Sequence, residues 1–280
     1  MNIEKVKIVA DSSSDVLSLD NIAFASAPLK IMTAEREFVD DANLNVKEMV
    51  DYLKGYSGKS STSCPNIGDW ISAFGDAEYV FCITITASLS GSYNAARLAK
   101  EAYENEHPER RVYVLNSLST GPEMCLIMEK IKELVYAGLD FDEVCKQTDE
   151  YAKNTGLLFM LESMRNLANN GRVSHVAAKM AGILGIRALG KASDKGDLEM
   201  LEKCRGEKRT VDAIIEQLKA HGFNKGKIRI AHCFNEKLAN IVKERILSEF
   251  GIIDIETYNC RGLCSFYAEL GGMLLGFEKQ

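Results

Sequence analysis

Tyr79-Val80-Phe81-Cys82-Ile83-Thr84-Ile85 is an apolar run that opens onto Ser88-Leu89-Ser90-Gly91-Ser92 and then a helical stretch through Asn105. A short apolar run followed by turn residues and a helix reads as a buried strand feeding a loop and a crossover helix. The same unit recurs on either side. Val6–Ala10 is a strand ending at Asp11-Ser12-Ser13-Ser14-Asp15, and Arg111–Leu115 is a strand ending at Asn116-Ser117, before a long helix that closes near Gly138. Between them, Val46, Met49, Val50 and Leu53, and then Ile67, Trp70, Ile71 and Phe74, each form one apolar helix face. Ala25–Met32 adds one further extended segment. Strands alternating with helices predict parallel βαβ units, hence a Rossmann-like, mostly parallel α/β sheet.

The second half has a different texture. A helix from about Asp140 leads to strand Gly156–Leu161, then to Asn169-Asn170-Gly171-Arg172-Val173-Ser174 and apolar or helical stretches up to Arg187. Asp194-Lys195-Gly196-Asp197 predicts a hairpin turn between Arg187–Lys191 and Leu198–Lys203. A helix from Thr210, strand Ile228–Ala231, helix Asn235–Phe250, strand Ile252–Tyr258 and a closing strand Met273–Phe277 complete a mixed α/β sheet. The chain of 280 residues is therefore expected to form two α/β domains, 1–155 and 156–280.

Composition narrows the function. Hydrophobic residues at 46% and charged ones at 26% fit a globular chain with real cores, and a net charge of −6 does not attract nucleic acid. The N-terminus shows no secretory pattern, and the longest uncharged run, Tyr79–Ala96, carries too many hydroxyls for a membrane span. Eight scattered cysteines without a CxxC pair read as reduced thiols, so the expectation is a cytoplasmic, metal-free protein with no cofactor.

Chemistry concentrates at the strand ends, where open parallel sheets bind ligands. Ser12–Ser14, Ser61-Thr62-Ser63, Ser88, Ser90 and Ser92, and Ser117, Ser119 and Thr120 all fall in such loops, with no Lys or Arg between Thr84 and Ala96. Neutral hydroxyl donors beside helix N-termini suit one carboxylate better than a polyphosphate. Each cluster also has a plainer reading as helix N-caps, Ser63 before Pro65 among them. A hydrolase or acyltransferase with Ser90 as nucleophile and His232 or His175 as base is the alternative, although the G-x-S-x-G elbow is absent. His107 reads as solvated and His221 as a helix-end residue. Arg172 and Arg205, each beside glycine, are surface cations or an anion-facing rim.

In their order and spacing these segments resemble the DegV family of bacterial fatty-acid-binding proteins across essentially the whole chain. The pieces are Asp11–Asp15, Ser61–Pro65, Ser88–Ala96, Asn170–Ser174, Ile183–Arg187, Lys195–Leu198 and Arg205-Gly206. The resemblance implies a long-chain fatty acid held in a tunnel between two α/β domains, in a binding subunit that presents it to a separate fatty-acid kinase. By motif, it implies that Thr62 and Ser90 hold the carboxylate and that Ser63 and Gly91 shape the loops. Arg172 would lie near the head group and Arg205 on a surface toward the kinase. The family's usual His-Thr-Gly-Pro-Gly motif is replaced by Tyr267-Ala268-Glu269-Leu270-Gly271, which would put a neutral phenol where a histidine is usual.

Overall fold

The computed structural model describes residues 1–174 and 185–279; His175 and the Ile183-Leu184 half of the Ile183–Arg187 motif lie outside the described residues. The chain is mixed α/β. In the first half, β1 (Val6–Asp11), β2 (Ala23–Ala27), β6 (Tyr79–Thr84) and β7 (Arg111–Asn116) form a parallel sheet in the order β2-β1-β6-β7. A second, small antiparallel sheet runs β4-β3-β5, from β3 (Lys30–Met32), β4 (Glu37–Val39) and β5 (Ser61–Ser63). The expected single segment Ala25–Met32 is thus two strands in two sheets. Pro28, which has no N–H for a ladder, stands at the break, and the Leu29 N–H just after it donates to Ser12 Oγ at 3.0 Å instead of to a strand.

Helices α1 (Val46–Gly55), α2 (Ile67–Phe74), α3 (Ser92–Glu106), α4 (Pro122–Tyr136) and α5 (Phe141–Lys153) fall where the apolar spacing puts them. The cap of α2 is a correction. Asn66, not Ser63, accepts the Asp69 N–H at 3.1 Å, while Asp69 returns a bond to the Asn66 N–H at 2.8 Å. Ser63 is instead the last residue of β5, paired with Lys30.

The second half is built on six strands, β8 (Thr155–Leu161), β9 (Ile186–Ala192), β10 (Leu198–Arg205), β11 (Ile228–His232), β12 (Ile255–Asn259) and β13 (Met273–Glu278). Their order is β10-β9-β8-β13-β11-β12, antiparallel at every pair except β11–β12. The last crossover strand starts at Ile255 rather than Ile252, whose side chain is fully exposed. The short α6 (Arg165–Asn169) follows β8, while α7 (Glu207–Ala220) and α8 (Glu236–Phe250) flank β11 in sequence. The expected helix from Thr210 starts earlier, at Glu207, because Gly206 (φ 81°) turns the chain there. A further helix, α9 (Gly262–Ala268), has no counterpart in the sequence reading.

Strand alternation divides this sheet into two faces. Leu158, Met160, Ile228, Ile230 and Leu275 meet Ile214 and Val242 of α7 and α8 in one core. Leu157, Phe159, Leu161, Ala231 and Leu274 belong to the other face, with residues of α1 and α9. Gly190 matters on that second face, because a Cβ there would stand 2.2 Å from the Phe159 ring. Helix α4 ties the halves together. Its Met124, Ile127 and Met128 complete the parallel-sheet core, while its Pro122–Glu123 backbone lies where a side chain on Gly276 of β13 would have to sit.

Candidate functional site

At the C-terminal edge of the parallel sheet, one buried carboxylate organises the loops. Asp11, the last residue of β1, accepts from the Ser13 hydroxyl at 2.5 Å, the Ser92 hydroxyl at 2.6 Å and the Ile85 N–H at 2.9 Å. It thereby joins the ends of β1 and β6 to the start of α3. Two of the candidate serines are committed here. Ser88 is committed elsewhere, donating to the Gly196 carbonyl at 2.7 Å in the β9–β10 turn.

Other hydroxyls remain. Thr62 on β5 and Tyr267 on α9 share one hydrogen bond at 2.7 Å. Two O–H groups enter that bond and only one proton is used, so the pair keeps one proton to donate. Ser90 Oγ accepts the Ser92 N–H at 3.2 Å, and its own O–H meets no acceptor among the described residues. Burial raises the Tyr267 pKa above the ordinary phenol value, so it is a neutral donor at neutral pH.

Thr62, Ser90 and Tyr267 all line one largely apolar cavity. Its walls are Leu29 and Ile85 on the parallel-sheet side and Leu157, Phe159, Leu161 and Leu274 on the six-stranded side. The cavity therefore lies between the two sheets. Arg172 lines it too; its guanidinium donates to the carbonyls of Leu89 and Asn170 and sits 5.8 Å from the Tyr267 ring centroid. An apolar chamber thus carries a small cluster of neutral donors and one cation. Such a lining has no polar partners for a polar ligand body and suits an apolar chain with one acidic end.

The remaining candidates lie around this cluster. Gly91 precedes α3, and a Cβ on it would stand 3.3 Å from Cys64 Sγ, so the loop after β6 rests on the end of β5 beside Ser63. Arg205 is exposed at the end of β10, away from the cavity lining. Among the described residues no histidine pairs with Ser90, and the His175 alternative lies outside them. His232 shares the strand face of Ile228 and Ile230, opposite the cavity-facing residues, and its Nδ1 accepts the Asn235 N–H. Burial lowers its pKa. His221 Nδ1 lies 2.9 Å from the Gln217 carbonyl at a helix end, and the His107 ring packs edge-on against Tyr103 rather than standing free in solvent.

Sequence reasoning missed how α9 is held. Asp40 accepts the N–H groups of Gly262 and Leu263, both at 2.8 Å, and Asp15 accepts that of Arg261 at 2.7 Å. Two buried carboxylates thus anchor the N-terminus of the helix that delivers Leu263, Cys264 and Tyr267 to the cavity. Burial pushes Asp15 up to about 7, and its Oδ2 has no hydrogen-bond partner. These contacts span more than 200 residues, and no local pattern marks them. Among the described residues no group of His, Cys, Asp or Glu is arranged to hold a metal ion, and no helix is long and apolar enough to cross a membrane.

Comparison with known proteins gives the same picture at the level of the whole chain. The family model described as an uncharacterised protein of the DegV family matches residues 5–279. A DegV domain-containing protein of Streptococcus pneumoniae is 42% identical over 276 residues, 97% of this chain and 98% of that one. A DegV family protein from Eubacterium eligens, loaded with heptadecanoic acid, superposes with a TM-score of 0.97 at 42% identity, covering 98% of this chain and 100% of that one. The Streptococcus pneumoniae Fatty Acid Kinase (Fak) B3 protein, loaded with linoleic acid, superposes with a TM-score of 0.96 at 42% identity, covering 98% of this chain and 99% of that one. With its parallel four-stranded sheet, its mixed six-stranded sheet and a family match over almost its full length, the chain belongs to the DegV family.

Proposed function

We propose that this chain is a non-covalent binding protein for one long-chain fatty acid and that it serves a separate fatty-acid kinase. The carboxylate is received by Thr62 and Ser90, with Tyr267 completing the donor set and Arg172 supplying positive charge beside it. Ser63 and Gly91 shape the two loops, and Arg205 belongs to the kinase-facing surface. The observation that carries the reading is the pair of uncommitted hydroxyl protons, with Arg172 beside them, at a largely apolar cavity. The heptadecanoic and linoleic acids held by the two 42% identical relatives support it, and the kinase name of the second supports the partner.

Energetics assign the roles. A buried methylene contributes about 0.8 kcal/mol, so roughly 14 of them supply on the order of 11 kcal/mol before ordering costs. A hydrogen bond to an ionised carboxylate nets about 1.5–3 kcal/mol. The tail therefore sets most of the affinity and the hydroxyls set orientation. Nucleophilic attack by Ser90 has no support, since no histidine of the described residues lines the cavity. Eight free cysteines favour the cytoplasm. The change of sheet at Thr155 favours dividing the chain there, into 1–155 and 156–280. Native mass spectrometry of gently purified protein tests the reading: one long-chain acid per chain is expected. No co-purifying acid, and no binding of an added 16-carbon acid, contradicts it.

A further inference from the structure

Leu157 is buried and lines two cavities at once. One is the apolar chamber described above. The other lies between the Ser117-Leu118 loop, the start of β8 and the end of β9. Its character differs, since Glu123, Asp194 and Lys279 line it beside Leu118 and Ala192, and the Thr155 hydroxyl donates to Glu123 at 2.7 Å. Strand register locates the partition. Leu158 pairs with Lys191 and Ala192 with Leu198, so Leu157, Ala192 and Leu198 form one row across three strands. Leu198 lines the apolar cavity and Ala192 the second one, so the boundary runs through this row at the leucine.

We infer that Leu157 fixes the length of acyl chain this protein accepts, by closing the apolar cavity off from the second chamber. This rests on the fatty-acid reading above. The isobutyl group is the wall at this end: it removes room for further methylenes and keeps the apolar cavity apart from a polar one. Shortening it joins the two spaces. Each methylene that then gains burial raises affinity about fourfold, so two or three of them outweigh a tenfold preference.

The test is the affinity of delipidated protein for saturated 16-carbon and 22-carbon acids, measured for the parent, Leu157→Ala and Leu157→Val. The 22-to-16 affinity ratio is expected to rise at least about tenfold in Leu157→Ala and by a smaller factor in Leu157→Val. The valine variant removes a single carbon and guards against an alanine variant that fails to fold. Parent-like ratios in variants that still bind the 16-carbon acid overturn the inference. A parent chain that binds neither acid overturns the fatty-acid reading instead, so the two failures are distinguishable.

Discussion

Ser92 stands two residues from Ser90 in one loop and Ser13 belongs to a similar serine-rich loop after β1, so as a sequence the two sets look alike. In the fold they are opposites. Ser13 and Ser92 are buried and give their protons to Asp11. Thr62, Ser90 and Tyr267 are half-buried, line the cavity and retain two protons between them. A hydroxyl is open to a ligand only when no internal acceptor has claimed its proton. Internal acceptors, the buried Asp11 carboxylate and the Gly196 carbonyl, decide which serines of these loops are structural and which are left to recognise a ligand.

Substitutions sharpen the contrast. The largest effect is expected on the structural side. Asp11→Ala strands two hydroxyls and the Ile85 N–H, at about 1–3 kcal/mol each when buried without a partner, so urea unfolding should show a loss on the order of 5 kcal/mol. Asp15 comes next, through pH. Its pKa is 3.8 as the ordinary value and about 7 in the fold. Between those values the folded chain holds a proton that the unfolded chain has lost, so stability falls as pH rises from about 4 through 7. The full penalty above pH 7 is about 4 kcal/mol. Asp15→Asn, which keeps an acceptor for the Arg261 N–H, should melt above the parent at pH 8 and converge with it near pH 4. An unchanged gap across that range would refute the assignment.

On the cavity side the effects fall on binding. Ser90→Ala or Thr62→Ala removes a donor to an ionised carboxylate, about 1.5–3 kcal/mol, so a fatty-acid titration should weaken roughly 10- to 150-fold without abolishing binding. Tyr267→Phe should cost least. The Thr62 hydroxyl loses its partner but keeps its own proton, so the same titration should weaken only about fivefold, near 1 kcal/mol. A Tyr267→Phe loss as large as that of Ser90→Ala would mean that the phenol itself holds the ligand.

Much of this was legible in the sequence, and the losses have physical causes. The apolar runs Val6–Ala10 and Tyr79–Ile85 and the helix faces of Val46–Leu53 and Ile67–Phe74 declare their structure locally, because burial imposes period 2 or 3.6 on them. The turn around Gly196 was equally plain, since only certain residues tolerate its geometry. Ser61–Ser63, by contrast, reads as a loop because three polar residues carry no apolar pattern; it is a strand through its pairing with Lys30–Met32. Helix α9 has seven residues and is held by Asp15 and Asp40 from the far end of the chain, so nothing nearby announces it. The cap of α2 went to Asn66 because it directly precedes the first helical residue. The shared cavity lining of Thr62, Ser90, Arg172 and Tyr267 came from motif resemblance, since periodicity has no means of relating four positions spread over 206 residues.

A crystal structure of this chain with a 16-carbon acid tests the central claim most directly. The predicted result has one carboxylate oxygen about 2.5–3.0 Å from Ser90 Oγ and from Thr62 Oγ1, with the tail along Phe159 and Leu274. A carboxylate held anywhere else, with Ser90 and Thr62 bonded only to protein, contradicts the account.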